Sequence, residues 1–182
     1  MGLGLAAALS VAAPAEAADT VREGTMRLGV ERLVNIGGRL DDPNTAFFMT
    51  LLPSISSSNI NTIQYPRVAF DYFIIDGLSI GGSAGFSFHT AGDTVGFSLL
   101  PRVGYAFELS RTFEFWPRAG FGVFVVDSDA GGNSSGVLTL DGMFVWEMVP
   151  HALVEFGPFF EAAFADQWPI ELGGTAGLAI EF

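Results

Sequence analysis

The sequence predicts an all-β, eight-stranded antiparallel up-and-down transmembrane β-barrel, and three observations carry that prediction. The chain ends in Gly-Leu-Ala-Ile-Glu-Phe, and Leu172, Gly174, Ala176, Leu178, Ile180 and Phe182 share one face of a strand that closes on an aromatic. Period-two alternation runs from Thr25 onward, with no sustained helical pattern. Short and long connections follow one another strictly, as when tight turns lie on one side of a bilayer and loops on the other.

The first element is a leader. Leu3 to Val11 form a short apolar run, followed by small residues and Ala15-Glu16-Ala17, which fits an A-x-A cleavage site. Residues 1–18 therefore read as a signal peptide that is removed, although no Lys or Arg precedes Arg22. The run is too short for a transmembrane helix, which needs about 20 apolar residues. Residues 19–182 then form one barrel domain, because about 20 residues per strand and connection gives about eight strands.

Within that domain Thr25–Val34 is the first strand and Tyr65–Ile75 the second. The third, Leu78 to His89, is diagnostic: Leu78, Ile80, Gly82, Ala84, Phe86 and Phe88 alternate with Ser79, Gly81, Ser83, Gly85, Ser87 and His89. The same division into a greasy and a small polar face recurs in Thr94–Glu108, Phe113–Val126, Val137–Glu147, His151–Ala163 and Glu171–Phe182. Short turns are expected at Ile75-Asp76-Gly77, Leu109-Ser110-Arg111 and Val149-Pro150-His151, and longer loops at His89–Asp93, Asp127–Ser135 and Ala165–Pro169. Counting back from Phe182 in the periplasm, an odd number of strands must precede Tyr65–Ile75, so 37–64 reads as one long extracellular loop. Within it the apolar segment 45–52 forms a short hairpin or extends the first strand.

Alternation alone does not say which face is the lumen, and a soluble lipocalin-like ligand carrier would turn the greasy face inward. Three features favour the membrane. Tyr72, Phe107, Phe113 and Trp146 gather near the short turns, and Phe86, Phe88, Phe124 and Phe164 near the loops, like interfacial girdles. Gly, Ser and Ala on the polar face suit a narrow lumen better than a soluble surface. Charged residues are 15% of the chain, below the roughly 25% usual for soluble domains. The net charge of −12 disfavours a nucleic-acid partner, because phosphate recognition needs a basic surface. Absence of cysteine excludes disulfides, thiolate metal sites, a thiol nucleophile and a lipidated cysteine.

A Pro-Arg motif occurs three times, at Pro66-Arg67-Val68-Ala69-Phe70, Pro101-Arg102-Val103-Gly104-Tyr105 and Pro117-Arg118-Ala119-Gly120-Phe121. Alternation puts each arginine on the small polar face. A hairpin centred on Ser110 sets Arg102 and Arg118 almost opposite each other, so carboxylates must lie nearby. Candidates on that face are Glu31, Asp71, Glu108, Glu114, Asp141, Glu155 and Glu161. The expected structural lumen charges are Arg67, Asp71, Arg102, Arg118, Asp141 and Glu155, plugging a barrel whose interior side chains just fill. Pro66, Pro101, Pro117 and Pro158 are expected to mark local bulges.

On Gly24–Leu33, Pro66–Phe86 and Leu100–Gly120, the chain resembles uncharacterised outer-membrane β-barrel proteins of Gram-negative bacteria. Its architecture is similar to the small eight-stranded barrels of the outer membrane protein A and X type. The resemblance implies residence in the bacterial outer membrane, contact with its lipids, and recognition of Phe182 by the barrel-assembly machinery during insertion. It supplies no catalytic residue, and the chain lacks the peptidoglycan-binding domain of full-length outer membrane protein A.

Three places carry residue types that could do chemistry. Ser87, His89 and Asp93 have the residue types of a nucleophile, base and orienting acid, as a lipid-A-modifying enzyme needs. Two residues apart on a strand, however, Ser87 and His89 are roughly 6.6–6.8 Å apart along it, too far for an assured hydrogen bond. His151 is a turn residue. Asp127-Ser128-Asp129-Ala130-Gly131-Gly132-Asn133 resembles a calcium loop but lacks its terminal glutamate and flanking helices. The reading is therefore a monomeric, non-enzymatic barrel without cofactor or metal, closed by ion pairs, with a structural or surface-interaction role. The alternatives are the lipid-modifying enzyme, a narrow pore and the soluble carrier.

Overall fold

Backbone amides in hydrocarbon have no water to bond, so a sheet that crosses a bilayer must close on itself. The computed structural model describes residues 22–40, 48–51, 65–89, 94–127, 132–164 and 170–182. Its strands are β1 (Met26–Arg39), β2 (Phe48–Leu51), β3 (Arg67–Ile75), β4 (Leu78–His89), β5 (Thr94–Tyr105), β6 (Phe107–Ser110), β7 (Phe113–Asp127), β8 (Asn133–Val149), β9 (Ala152–Phe164) and β10 (Ile170–Glu181). They pair antiparallel in the order β1, β3, β4, β5, β7, β8, β9, β10, and β10 returns to β1. These segments make eight staves of a closed barrel: β6 prolongs β5 along β7 beyond Ala106, and β2 lies along upper β1 on the side that β3 takes lower down.

β1 runs past Gly37, where the sequence starts the long loop, because β10 supplies partners as far as Glu171 opposite Arg39. The apolar segment 45–52 contributes β2, whose Phe48–Leu51 pair with Gly37 to Val34. The signal-peptide expectation, loop segments 41–47 and 52–64, Asp93 and most of the calcium-like loop lie outside the described residues.

The short turns fall at Asp76–Gly77, Arg111–Thr112 and Pro150–His151. Gly77 has φ 79°, and the register shifts between Phe73 and Ile75, the combination of a tight turn with a bulge that suits sheet twist. His151 has φ 69° beside a register shift between Glu147 and Val149, and its N–H donates to Glu147 Oε1 at 3.1 Å. It is exposed, as a turn residue would be.

The prolines do not make bulges. Pro101, Pro117 and Pro158 keep register opposite Gly82, Gly142 and Gly174 respectively. Each interrupts pairing on its other side, since proline has no N–H to donate there: β5–β7 pairing skips from Leu99 to Arg102, and β8–β9 pairing from Asp141 to Phe144, without a shift. Pro66 precedes β3, outside the ladder.

The wall is inverted relative to a soluble barrel. In β3, Arg67, Ala69, Asp71 and Phe73 are buried while Val68, Phe70 and Tyr72 are exposed. Tyr72, Phe107 and Trp146 face outward near the short turns, and Phe86 and Phe164 near the loops. Outside, ring contacts run from Tyr105 to Phe107 (4.8 Å), Phe115 (6.5 Å), Phe144 (5.2 Å) and Phe156 (5.9 Å), an arc crossing five strand segments. Phe124 departs from the expected girdle: it packs inward against the Leu100, Val137 and Ala163 cluster, with Tyr65 at 6.2 Å. Its even position shares the lumen face with Arg118, Gly120 and Gly122.

Candidate functional site

The lumen gathers the charges that the outer wall excludes. Among the described residues Arg27, Arg32, Arg67, Arg102 and Arg118 are buried, as are Glu31, Asp71, Glu114, Asp141, Glu155, Glu161, Glu171 and Glu181. Carboxylates outnumber guanidinium groups, so arginines are shared among acids from different strands.

At the short-turn end Arg27 joins three staves. Its Nε donates to Glu181 Oε2 at 2.8 Å, and its Nη2 donates to both oxygens of Glu114 at 3.0 and 2.8 Å. Its guanidinium lies 4.9 Å from the Phe73 ring and 5.0 Å from the Trp116 ring. Both belong to a buried apolar cluster with Ala106, Val145, Leu153 and Ala179.

Higher up, Arg102 donates to Asp71 through two nitrogens and to Glu31 through a third. Arg118 donates to Glu155 at 3.2 Å and lies 3.6 Å from Glu31 and 3.5 Å from Asp141. Trp116 is the shared surface beneath these cations: Arg118 and Arg102 sit 4.8 and 5.9 Å from its ring, within cation–π range. Its Nε1–H donates to Ser79 Oγ at 3.2 Å. Gly104 gives the indole room, because a Cβ there would collide with Nε1.

Above this, Arg32 donates to Asp141 Oδ1 and Glu161 Oε1, both at 2.8 Å, with its guanidinium 4.0 Å from the Phe159 ring. Arg67 crosses from β3 to Glu161 on β9 with bonds of 2.9 and 3.1 Å. Asn35 Nδ2 donates to the Arg32 carbonyl at 3.0 Å. Arg39 and Glu171 face each other in the β1–β10 register.

All six lumen charges named from the sequence lie inside the barrel. Arg102 and Arg118 are not directly opposite: Arg102 pairs with Gly120 and Arg118 with Gly104, because the hairpin centres one residue beyond Ser110. Glu108 keeps the inward face of its register partner Glu114, but it is exposed on β6 at the rim. Arg27 and Glu181 escaped the sequence reading although both occupy the inward parity of their strands, a signal overshadowed by the Pro-Arg repeat. Arg32 had no such signal. Simple alternation turns it toward lipid, but it has φ 62° in a bulge where Glu31, Arg32 and Leu33 oppose only Gly177, so Glu31 and Arg32 both enter the lumen.

This arrangement ties opposite walls together by charge-assisted bonds. Among the described residues no group of three His, Cys, Asp or Glu could hold a metal ion. Ser87 is partly buried on β4 opposite Gly96, while the His89 side chain and Asp93 lie outside the described residues.

The sequence matches no family model and none of the curated proteins. By structure it is similar to Neisserial surface protein A, with a TM-score of 0.61 and 13% identity over 88% of this chain and 100% of that one. The N-terminal β-barrel domain of Pseudomonas aeruginosa OprF gives 0.53 and 11% over 88% and 98%. Ail, the attachment invasion locus protein of Yersinia pestis, gives 0.50 and 13% over 88% and 99%. With its apolar wall outside, its charges inside and its sheet closed by the pairing of β10 with β1, the chain has the fold of the small eight-stranded barrels of the bacterial outer membrane.

Proposed function

We propose that this protein is a non-enzymatic integral outer-membrane barrel, closed by its own ion pairs, with a structural or surface-interaction role. The observation that carries this is the Arg32, Arg102 and Arg118 network, which bridges β1, β3, β5, β7, β8 and β9 through the middle of the lumen. A permeant ion would have to separate charge-assisted contacts in a low-dielectric interior, and nothing in the network offers it a replacement. The mature chain begins after removal of residues 1–18, inserts through the barrel-assembly machinery with Phe182 as its terminal signal, and works as a monomer among outer-membrane lipids.

Planar-bilayer recording of the folded protein tests the closed lumen. A flat baseline is expected. Discrete conductance steps that change with Arg102→Ala would establish the narrow pore in its place. The lipid-modifying reading predicts a change in lipid A mass on expression that His89→Ala abolishes; no mass change is expected.

A further inference from the structure

We propose that one phospholipid with an amine head group, from the leaflet on the short-turn side, binds at a fixed site on the outer wall. Its acyl chain lies in a groove across β3 to β8, and its head group in a notch beside β6. The inference rests on the reading of the barrel as an outer-membrane resident with its short turns in the periplasm, and names a lipid partner for it.

The groove follows from side-chain size in two neighbouring rows of the wall. Tyr72, Ile80, Val103 and Ala119 lie opposite one another along the lower row. Phe70, Gly82 and Pro101 form the upper row; Arg102 stands opposite Gly120, which brings Pro101 level with Phe121 and its partner Leu138. Large residues therefore surround a middle where Gly82 has no side chain and Pro101 and Ala119 are short. The result is a groove of about 740 Å³ in the wall, and the Arg102 that borders it turns its guanidinium into the lumen. On a wall set in hydrocarbon, such a groove fits an acyl chain.

The course of the groove selects the leaflet. Tyr72 lies three residues from the short-turn end of β3, and Leu138 eleven from that of β8, so the groove climbs from the interface toward the middle of the wall. Five staves at roughly 4.8 Å spacing make it about 19 Å long. One leaflet is about 15 Å deep, half of a hydrocarbon core of about 30 Å, so an inclined chain fits.

The notch supplies the chemistry for a head group. β4–β5 pairing ends at Leu78 with Tyr105, Ala106 N–H donates to the Gly77 carbonyl at 2.8 Å, and β6 stands beyond the β3–β4 turn. Beside it is a cleft of about 510 Å³ lined by Arg22, Asp76, Tyr105, Phe107 and Glu108 among others. Tyr105 is two residues from Val103 on the same exposed face, so the notch begins where the groove ends. Glu23 N–H donates to Asp76 Oδ1 at 2.9 Å and Gly24 N–H to the Phe73 carbonyl at 2.8 Å, which hold the Arg22 segment at the turn. Arg22, Asp76 and Glu108 are all exposed. One guanidinium and two carboxylates complement one phosphate and one ammonium, since a guanidinium binds phosphate oxygens in pairs and carboxylates accept from an amine. A second copy of the barrel could cover the groove with wall side chains but would leave these charges unmatched.

Native mass spectrometry tests this on the mature barrel folded into vesicles of phosphatidylethanolamine and phosphatidylglycerol in equal parts, then released in mild detergent. The boil-dependent gel shift is read on the same sample. A barrel that does not insert refutes the membrane reading, whereas an inserted barrel that retains no lipid refutes only the site. Wild type should retain one phosphatidylethanolamine in preference to phosphatidylglycerol. Ala119→Leu fills the groove and Arg22→Gln removes the phosphate partner; each should lower retention about tenfold and leave the gel shift unchanged. Glu108→Gln should keep the bound lipid but weaken the preference for the amine. Equal retention of both lipids by wild type, retention that none of the variants changes, or the mass of two barrels in place of one barrel with lipid would overturn the proposal.

Discussion

Arg27→Met removes one cation while keeping most of the side-chain volume, and isolates the contribution of charge to barrel closure. The arginine sits 2.8 Å from Glu181 on the last stave and 2.8 Å from Glu114 on β7, with side chains almost wholly buried. Its loss takes away the guanidinium that Glu114 and Glu181 share. Breaking a buried pair this way costs about 3–5 kcal/mol, and loss of the Phe73 and Trp116 ring contacts adds about 0.5–2 kcal/mol. The folded-to-unfolded ratio should fall roughly 150-fold or more at 1.36 kcal/mol per decade. Urea unfolding in micelles, followed by tryptophan emission and by gel mobility of unboiled samples, measures it. Arg27→Met combined with Glu114→Gln and Glu181→Gln should recover most of the loss, since no uncompensated charge remains. A loss below about 1 kcal/mol, the range of exposed pairs, would refute the reasoning, as would failure of the triple variant to recover.

Other consequences are open to the same assays. Arg32→Gly should be less destabilising than Arg32→Ala by about 1 kcal/mol, because glycine tolerates φ 62° while both leave Asp141 and Glu161 without this cation; equal losses would show the backbone is unstrained there. Leu140→Arg, at an outward site midway along β8, should cost about 2–4 kcal/mol in lipid vesicles, and a neutral result would argue against hydrocarbon on that face. Phe182→Ala keeps the mutual backbone bonds of Phe182 with Met26, at 2.9 and 3.0 Å, yet removes the exposed ring. It should slow insertion in cells while leaving refolded stability nearly unchanged, and a normal insertion rate would reject Phe182 as the assembly signal.

The sequence alone determined the closed barrel, because the side chains of a strand alternate between faces and only a closed sheet satisfies its backbone in lipid. It also placed Arg67, Arg102 and Arg118 on the polar face, since alternation holds wherever the strand is regular. Tertiary structure decided the rest. Arg32 reverses direction through a bulge forced by pairing β1 with β10, a long-range partner that local pattern does not reveal. Glu108 is exposed because it lies at the rim, although it stays in register with the buried Glu114, and Phe124 fills the loop end by packing against Leu100, Val137 and Ala163. Which carboxylate each arginine meets depends on how eight staves are staggered around a common axis, and that stagger is a property of the closed sheet, not of any one strand.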